Sequence, residues 1–307
     1  MGKDITKNLV GQPIFKQIIK MLPREQFDIL VKQCGSDRYY KTLFSWEQLM
    51  IMLFGIFSRC DSMGEVCDGM RALSGKLSYL GMDCAPSKST AGDGLRDRSE
   101  ELFRLYYFAL IAYFRPLLSV SRKEKVSFEE FYAFDSTTIT LFSQVMKGVG
   151  RDPKGDGKKK GGLKVHMLTD VHADTAIFAK ISEAKMHDKK FLAHLNPGKG
   201  SMLVFDKAYN FYQQFAQWTE EGVNFVCRLK DNAKVQLQEV LFEKTLQKEE
   251  SGVYKVEHIH LEYKKDKRPE ILCLRLVYYK DEQGRKYKFI TNNWEISPEE
   301  VALIYKY

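Results

Sequence analysis

Apolar positions recur at helical spacing through the first 120 residues and at the two-residue spacing of strands after that. Pro23–Cys34 and Ser45–Phe57 each carry an apolar stripe and predict amphipathic helices. Ser45 with Gln48, and Ser62 with Glu65, have the spacing of capping boxes and predict helix starts. Leu105 to Phe114 is an apolar run of ten residues between Arg104 and Arg115. It predicts a buried helix, too short to cross a bilayer, that Pro116 stops. Ala85–Ser99, between these helices, is polar and basic. It reads either as the start of a helix that enters a DNA groove or as a solvated connection, and the pattern leaves both open.

From Phe131 onward "FYAFD" is a short apolar run ending in an acid. "GLKVHMLTD" alternates, with Leu163, Val165 and Met167 on its apolar face and Lys164 and His166 on the other. "HADTAIFAKI" follows a short polar turn, so the two predict an antiparallel hairpin. "HDKKFLAHL" predicts a helix, and "SMLVFD" a second buried strand ending in an acid. This order indicates a mixed α/β sheet. A helix is expected over 211–221, then strands in "NFVCRL", "GVYKVEHIHLEY", "EILCLRLVYY" and "RKYKFIT". The expected organisation is a helical domain over 1–120 and the first part of a core over 126–222. A β-rich insertion over 223–292 and the start of a core helix over 293–307 complete it. Ser297-Pro298-Glu299-Glu300 opens that helix, with an N-cap Ser, Pro at the first helical position and a closing Glu.

Composition narrows the class. The 307 residues are 44% hydrophobic and 29% charged, the mixture of a soluble globular protein, and the net charge of +8 favours a polyanionic partner. Cys34, Cys60, Cys67, Cys84, Cys227 and Cys273 are scattered without a C-x-x-C pair, which points away from a disulfide framework. The opening "MGKDITKNLVGQPIF" has no apolar core of a signal peptide, so a cytoplasmic protein without membrane association is expected.

Two acids stand out as chemistry. Asp135 and Asp206 each follow an apolar run and fall at the carboxyl end of an expected strand, where open α/β sheets place their sites. Oxygen ligands of this kind suit magnesium, and a pair of such ions can activate a nucleophile and stabilise the leaving oxygen of a phosphodiester. The alternative is that each Asp caps the turn after its strand. Between them, Gly148 to Lys164 holds six glycines and six basic residues, including Lys158, Lys159, Lys160 and Lys164, against two acids. Such a loop suits a phosphate backbone or is simply solvated; its glycines lack P-loop spacing. His258 and His260 share one strand face and read as surface residues; His166 and His187 read as core or hydrogen-bonding residues. Packing is the expected role of Trp46, Trp218 and Trp294. Asp135 does not suit a haloacid-dehalogenase-type nucleophile, because Thr137 stands where that chemistry wants a second Asp.

Together "FDSTTI", "GLKVHMLTD", "HDKKFL", "VFDKAYN" and "FITNNWEISPEEVALIYKY" resemble DDE transposases of the insertion-sequence-four family. "FSWEQLMIMLFGIFSRCDSMGEV" and "PSKSTAGDGLRDRS" resemble its amino-terminal domain. The resemblance implies a ribonuclease H-like core with two aspartates on strands, a β-rich insertion, and a glutamate on a later helix. Asp135 and Asp206 match the two aspartates. It implies Mg2+ or Mn2+, two ions in a complete site, and cleavage and strand transfer at terminal inverted repeats, typically through a hairpin intermediate. Partners would be double-stranded inverted-repeat and target DNA and a second copy in a synaptic homodimer, in a bacterial cytoplasm and on the nucleoid when DNA-bound. Lys207, Tyr209 and Tyr305 become candidate DNA contacts, although the family often has Arg where Lys207 stands. The signature runs from Tyr305 to an arginine at 308 and a glutamate four residues beyond; the sequence stops at Tyr307, so the third catalytic Glu is absent from it and truncation is expected. Weak or absent cleavage follows, and a DNA-binding fragment that occupies element ends or regulates the full enzyme is the alternative.

Overall fold

The computed structural model describes residues 14–118, 128–140, 162–184, 186, 188–247 and 250–306. Lys158, Lys159, Lys160, most of the basic loop and His187 lie outside these residues. The chain divides into two compact units, one through Leu117 and one from Leu118.

The first unit is helical: α1 (Ile14–Met21), α2 (Arg24–Cys34), α3 (Ser45–Phe57), α4 (Met63–Ala72), α5 (Lys88–Asp97) and α6 (Glu101–Leu118), with a 3-10 helix over Ser74–Leu80. Its core gathers Phe27, Trp46, Met50, Ile51, Met70 and Tyr106, and Phe27 meets the Trp46 and Tyr106 rings edge-on at 5.3 and 4.9 Å. Polar residues refine the expected boundaries. Ser45 does not cap α3, because Asp37 Oδ1 takes both its amide and its hydroxyl; the start is closed by Glu47 Oε2, which accepts from the Phe44 amide at 2.7 Å. Ser62 does cap α4, accepting from the Glu65 amide. Ala85–Ser99 is not a bare connection: it contains α5, capped by Ser87 at the Thr90 amide. Pro116 does not stop α6, which runs to Leu118, and the helix is not buried all round, since Tyr107, Phe108 and Tyr113 are exposed.

The second unit is one nine-stranded mixed sheet with strand order β3-β2-β1-β4-β5-β9-β8-β7-β6. Its strands are β1 (Phe131–Thr140), β2 (Gly162–Asp170), β3 (Thr175–Glu183), β4 (Met202–Phe205), β5 (Asn224–Arg228), β6 (Val235–Glu243), β7 (Gly252–Lys265), β8 (Arg268–Lys280) and β9 (Lys286–Thr291). β1, β4 and β5 are parallel neighbours; β2 runs antiparallel to β1, and β3 to β2, giving the expected hairpin. Asn224–Arg228 therefore belongs to the parallel core and not to an insertion. The remaining strands extend the same sheet, with β9 antiparallel to β5.

Among the described residues, two α-helices cover the sheet. α7 (Tyr212–Glu221) ends at Gly222, whose φ of 73° is the left-handed cap that favours glycine. Its Phe215 and Trp218 pack on one face with Phe134, Leu203, Phe205 and Phe225. α8 (Pro298–Ile304) opens as expected, with Ser297 accepting from the Glu300 amide at 3.1 Å. Its Val301, Ala302 and Ile304 pack on the other face with Phe131, Met202, Val204 and Phe289. The expected helix in "HDKKFLAHL" is instead a 3-10 segment, Asp188–His194.

β2 reverses the expected faces. Lys164 and His166 are buried, while Met167 is exposed. The cause lies in what covers them: the Phe191 ring, from the 3-10 segment, stacks on the His166 ring at 3.5 Å, and His166 Nε2 lies 3.2 Å from Ser182 Oγ. Lys164 Nζ donates to the Met186 carbonyl at 3.4 Å. A lysine can be buried this way because its stem is apolar and its ammonium finds an acceptor.

Candidate active site

The β1–β4 pairing brings the two strand-end acids together. Phe131 to Phe134 pair in parallel register with Met202 to Phe205, and the last pair is Phe134 with Phe205. Asp135 and Asp206 are the next residues on each strand. Neighbouring strand backbones lie about 4.8 Å apart, and side chains alternate between faces. Phe134 and Phe205 point to the α7 side and Ala133 and Val204 to the α8 side, so both aspartates project on the α8 side. β1 does not end at Asp135 as expected; it continues to Thr140 against β2 alone. Asp135 marks the point where the parallel partner leaves. Its carboxylate is open to solvent on that side and takes the Ser136 amide at 2.7 Å.

Asp206 is more enclosed. Its Oδ2 caps the 3-10 turn Lys207–Tyr209, accepting from the Ala208 amide at 3.4 Å, so the capping reading of this acid holds beside any other role. Oδ1 accepts from the Tyr305 hydroxyl at 3.0 Å, and Arg228 Nη1 lies 3.9 Å away. Burial, together with the Asp206 charge, pushes the Tyr305 hydroxyl well above its ordinary value, so it stays a donor. Burial raises the Cys227 thiol as well, which keeps that buried sulfur neutral behind the site. Asn210 braces the rim, donating to the Arg228 carbonyl at 2.9 Å and accepting from the Lys230 amide at 3.2 Å.

The candidate DNA contacts separate into two groups. Lys207 stands at the rim but is engaged by Asp231 at 3.2 Å, and its ammonium holds that carboxylate below the usual range. Tyr305 is at the site, as a partner of Asp206. Tyr209 is buried, with its ring 4.9 Å from Phe134, and Lys164 is buried under the 3-10 segment; as placed, neither offers a surface to DNA. Sequence reasoning missed Arg228. Its signal was available: "NFVCR" is a third parallel strand, and its carboxyl end falls on the same rim as those of β1 and β4.

A mixed sheet with carboxylates paired at the carboxyl ends of adjacent parallel strands, and helices on both faces, is a ribonuclease H-like architecture. The chain belongs to the family described as Transposase DDE domain, which matches residues 126–307. Residues 10–83 match a Domain of unknown function (DUF4372). No curated protein matches the chain. Among solved structures, endonuclease V from Bacillus subtilis is similar at 9% identity over 67% of this chain and 81% of that one. Its TM-score of 0.25 is too low to carry an argument. Family membership makes the protein a transposase that acts on DNA with divalent metal ions.

Proposed function

We propose that Asp135 and Asp206 are ligands of one divalent-cation site, Mg2+ or Mn2+, in the transposase of an insertion sequence of the insertion-sequence-four kind. The reaction is phosphodiester cleavage at terminal inverted repeats followed by strand transfer to target DNA. The observation that carries this reading is the register that ends at Phe134 and Phe205, which sets the two acids side by side on one face.

The donor set fits a hard dication: two carboxylates from neighbouring strands, with Asp135 open to solvent. Bound cations supply charge stabilisation at the phosphodiester and a more acidic attacking hydroxyl. The residues present do the positioning. Tyr305 fixes Asp206 through Oδ1, and Arg228 adds a guanidinium on the same rim that can meet a phosphate oxygen. Lys207 would exchange Asp231 for the DNA backbone, and Lys158, Lys159 and Lys160 are proposed as further contacts to it. Two ions in the complete site, and two protomers in a synaptic complex, belong to the same reading.

The test is Mg2+-dependent nicking of DNA carrying the element's ends; activity that survives Asp135→Ala would place the site elsewhere. End-specific, salt-sensitive binding without cutting would support the alternative, a DNA-binding protein that occupies element ends or regulates an active transposase.

A further inference from the structure

On the antiparallel pair β7–β8, His260 faces Cys273 directly, and His258 lies two residues along the same side of β7. Ligand atoms from His258, His260 and Cys273 all lie within 4.8 Å of one another. The two imidazoles meet edge-on at 5.3 Å, and Trp294 closes against His258 at 5.1 Å. His258 Nε2 is buried and, among the described residues, has no hydrogen-bond partner. A buried ring nitrogen without a partner costs free energy unless a proton donor or a metal satisfies it. Arg275 stands opposite His258, but its Nη1 is directed to the Ile296 carbonyl at 2.9 Å. The strand order places β5 and β9 between β4 and this pair, so the cluster is about 14 Å (β4 to β8) to about 24 Å (β1 to β7) across the sheet from the aspartates, at about 4.8 Å per strand.

We infer that His258, His260 and Cys273 form a second metal site, one for a thiolate-binding and imidazole-binding cation such as Zn2+. Two ring nitrogens and a thiolate select borderline or soft metals, whereas the aspartate pair selects hard ones. Bonds of about 2.0 Å to nitrogen and 2.3 Å to sulfur put tetrahedral ligands about 3.3–3.5 Å apart, so small side-chain adjustments close the site. Three protein ligands leave the fourth position to water. Cys273 gives up its thiol proton to solvent as the metal–sulfur bond forms. The ion would clip β7 to β8 and, through the ring contact of Trp294 with His258, hold the turn that leads into α8.

The test is titration of the full chain, reduced and metal-free, with Co2+ as a spectroscopic stand-in for Zn2+. The expected result is about one thiolate-bound cobalt per chain, seen as sulfur-to-cobalt charge transfer and displaced by Zn2+ but not by excess Mg2+. Cys273→Ser should abolish the band, and His260→Gln should weaken binding by about tenfold or more. Asp135→Asn should leave it unchanged. A folded wild-type chain without the band, or a band that persists in Cys273→Ser, would overturn the assignment.

Discussion

Tyr305, at the end of α8, donates its hydroxyl to Asp206 Oδ1 at 3.0 Å across a sequence separation of 99 residues. The contact ties the last helix to the carboxyl end of β4. A hydrogen bond to a charged acceptor contributes about 1.5–3 kcal/mol. Tyr305→Phe should therefore lower unfolding stability by about that amount in urea titrations, with the fold retained. No change in the midpoint would mean that the hydroxyl bonds equally well to water.

The two acids predict the reverse balance. Asp135 is exposed, so Asp135→Asn should change stability by no more than about 0.5 kcal/mol, and Asp206→Asn should cost about 1–1.5 kcal/mol as the Tyr305 bond loses its charged acceptor, while both abolish metal-dependent cleavage. Thermal melts beside nicking assays would separate the two effects. A large loss of stability with either variant would make that residue a structural cap first.

Arg98 is the most demanding charge in the helical unit. Its side chain is 1% exposed, donates to the Leu43 carbonyl at 2.8 Å, lies 4.1 Å over the Tyr40 ring and approaches Asp37 at 3.7 Å. Arg98→Ala should cost about 3–5 kcal/mol, since it leaves a cavity and strands buried acceptors. Denaturation followed through the Trp46 region would measure it. Arg98→Met, which keeps the volume, should cost less.

Alkaline pH should weaken the helical unit through Tyr106. Burial raises its hydroxyl from 10.0 to about 12. The neutral form is favoured in the fold, so this stability is complete below pH 10 and is lost as pH rises through about 12. The difference corresponds to about 2–3 kcal/mol. Tyr106→Phe should flatten the stability profile above pH 10, measured by denaturation at fixed pH.

DNA affinity should distinguish the two lysines. Each phosphate contact contributes about 0.9 to the slope of log affinity against log salt. Lys207→Gln should reduce that slope by about one contact, whereas Lys164→Met should leave it unchanged, because Lys164 is buried. An equal effect from both would mean that the 3-10 segment over Lys164 opens when DNA binds.

The elements written in local chemistry were legible in the sequence. Apolar runs ending in Asp135 and Asp206, and the Ser-Pro-Glu-Glu start of α8, specify their structures within a few residues. What depended on distant partners was not. The alternation in β2 gave its period but not which face would be covered; Phe191 decides that, from more than twenty residues away. The strand propensity after Val223 was clear, yet not that β5 would join β4 in parallel while the later strands extend the same sheet. Arg228 was hidden for the same reason: its place on the rim follows from sheet order, not from its neighbours in sequence.

Asp135 and Asp206 should hold the same cation, and iron can report it. Fe2+ substituted for Mg2+, with ascorbate and peroxide, generates radicals that cut the polypeptide next to the bound iron. Cuts near both 135 and 206 are expected, with loss of both sets in either Asp→Asn variant. Cuts at one position only, or cuts near 135 that persist in Asp206→Asn, would contradict it.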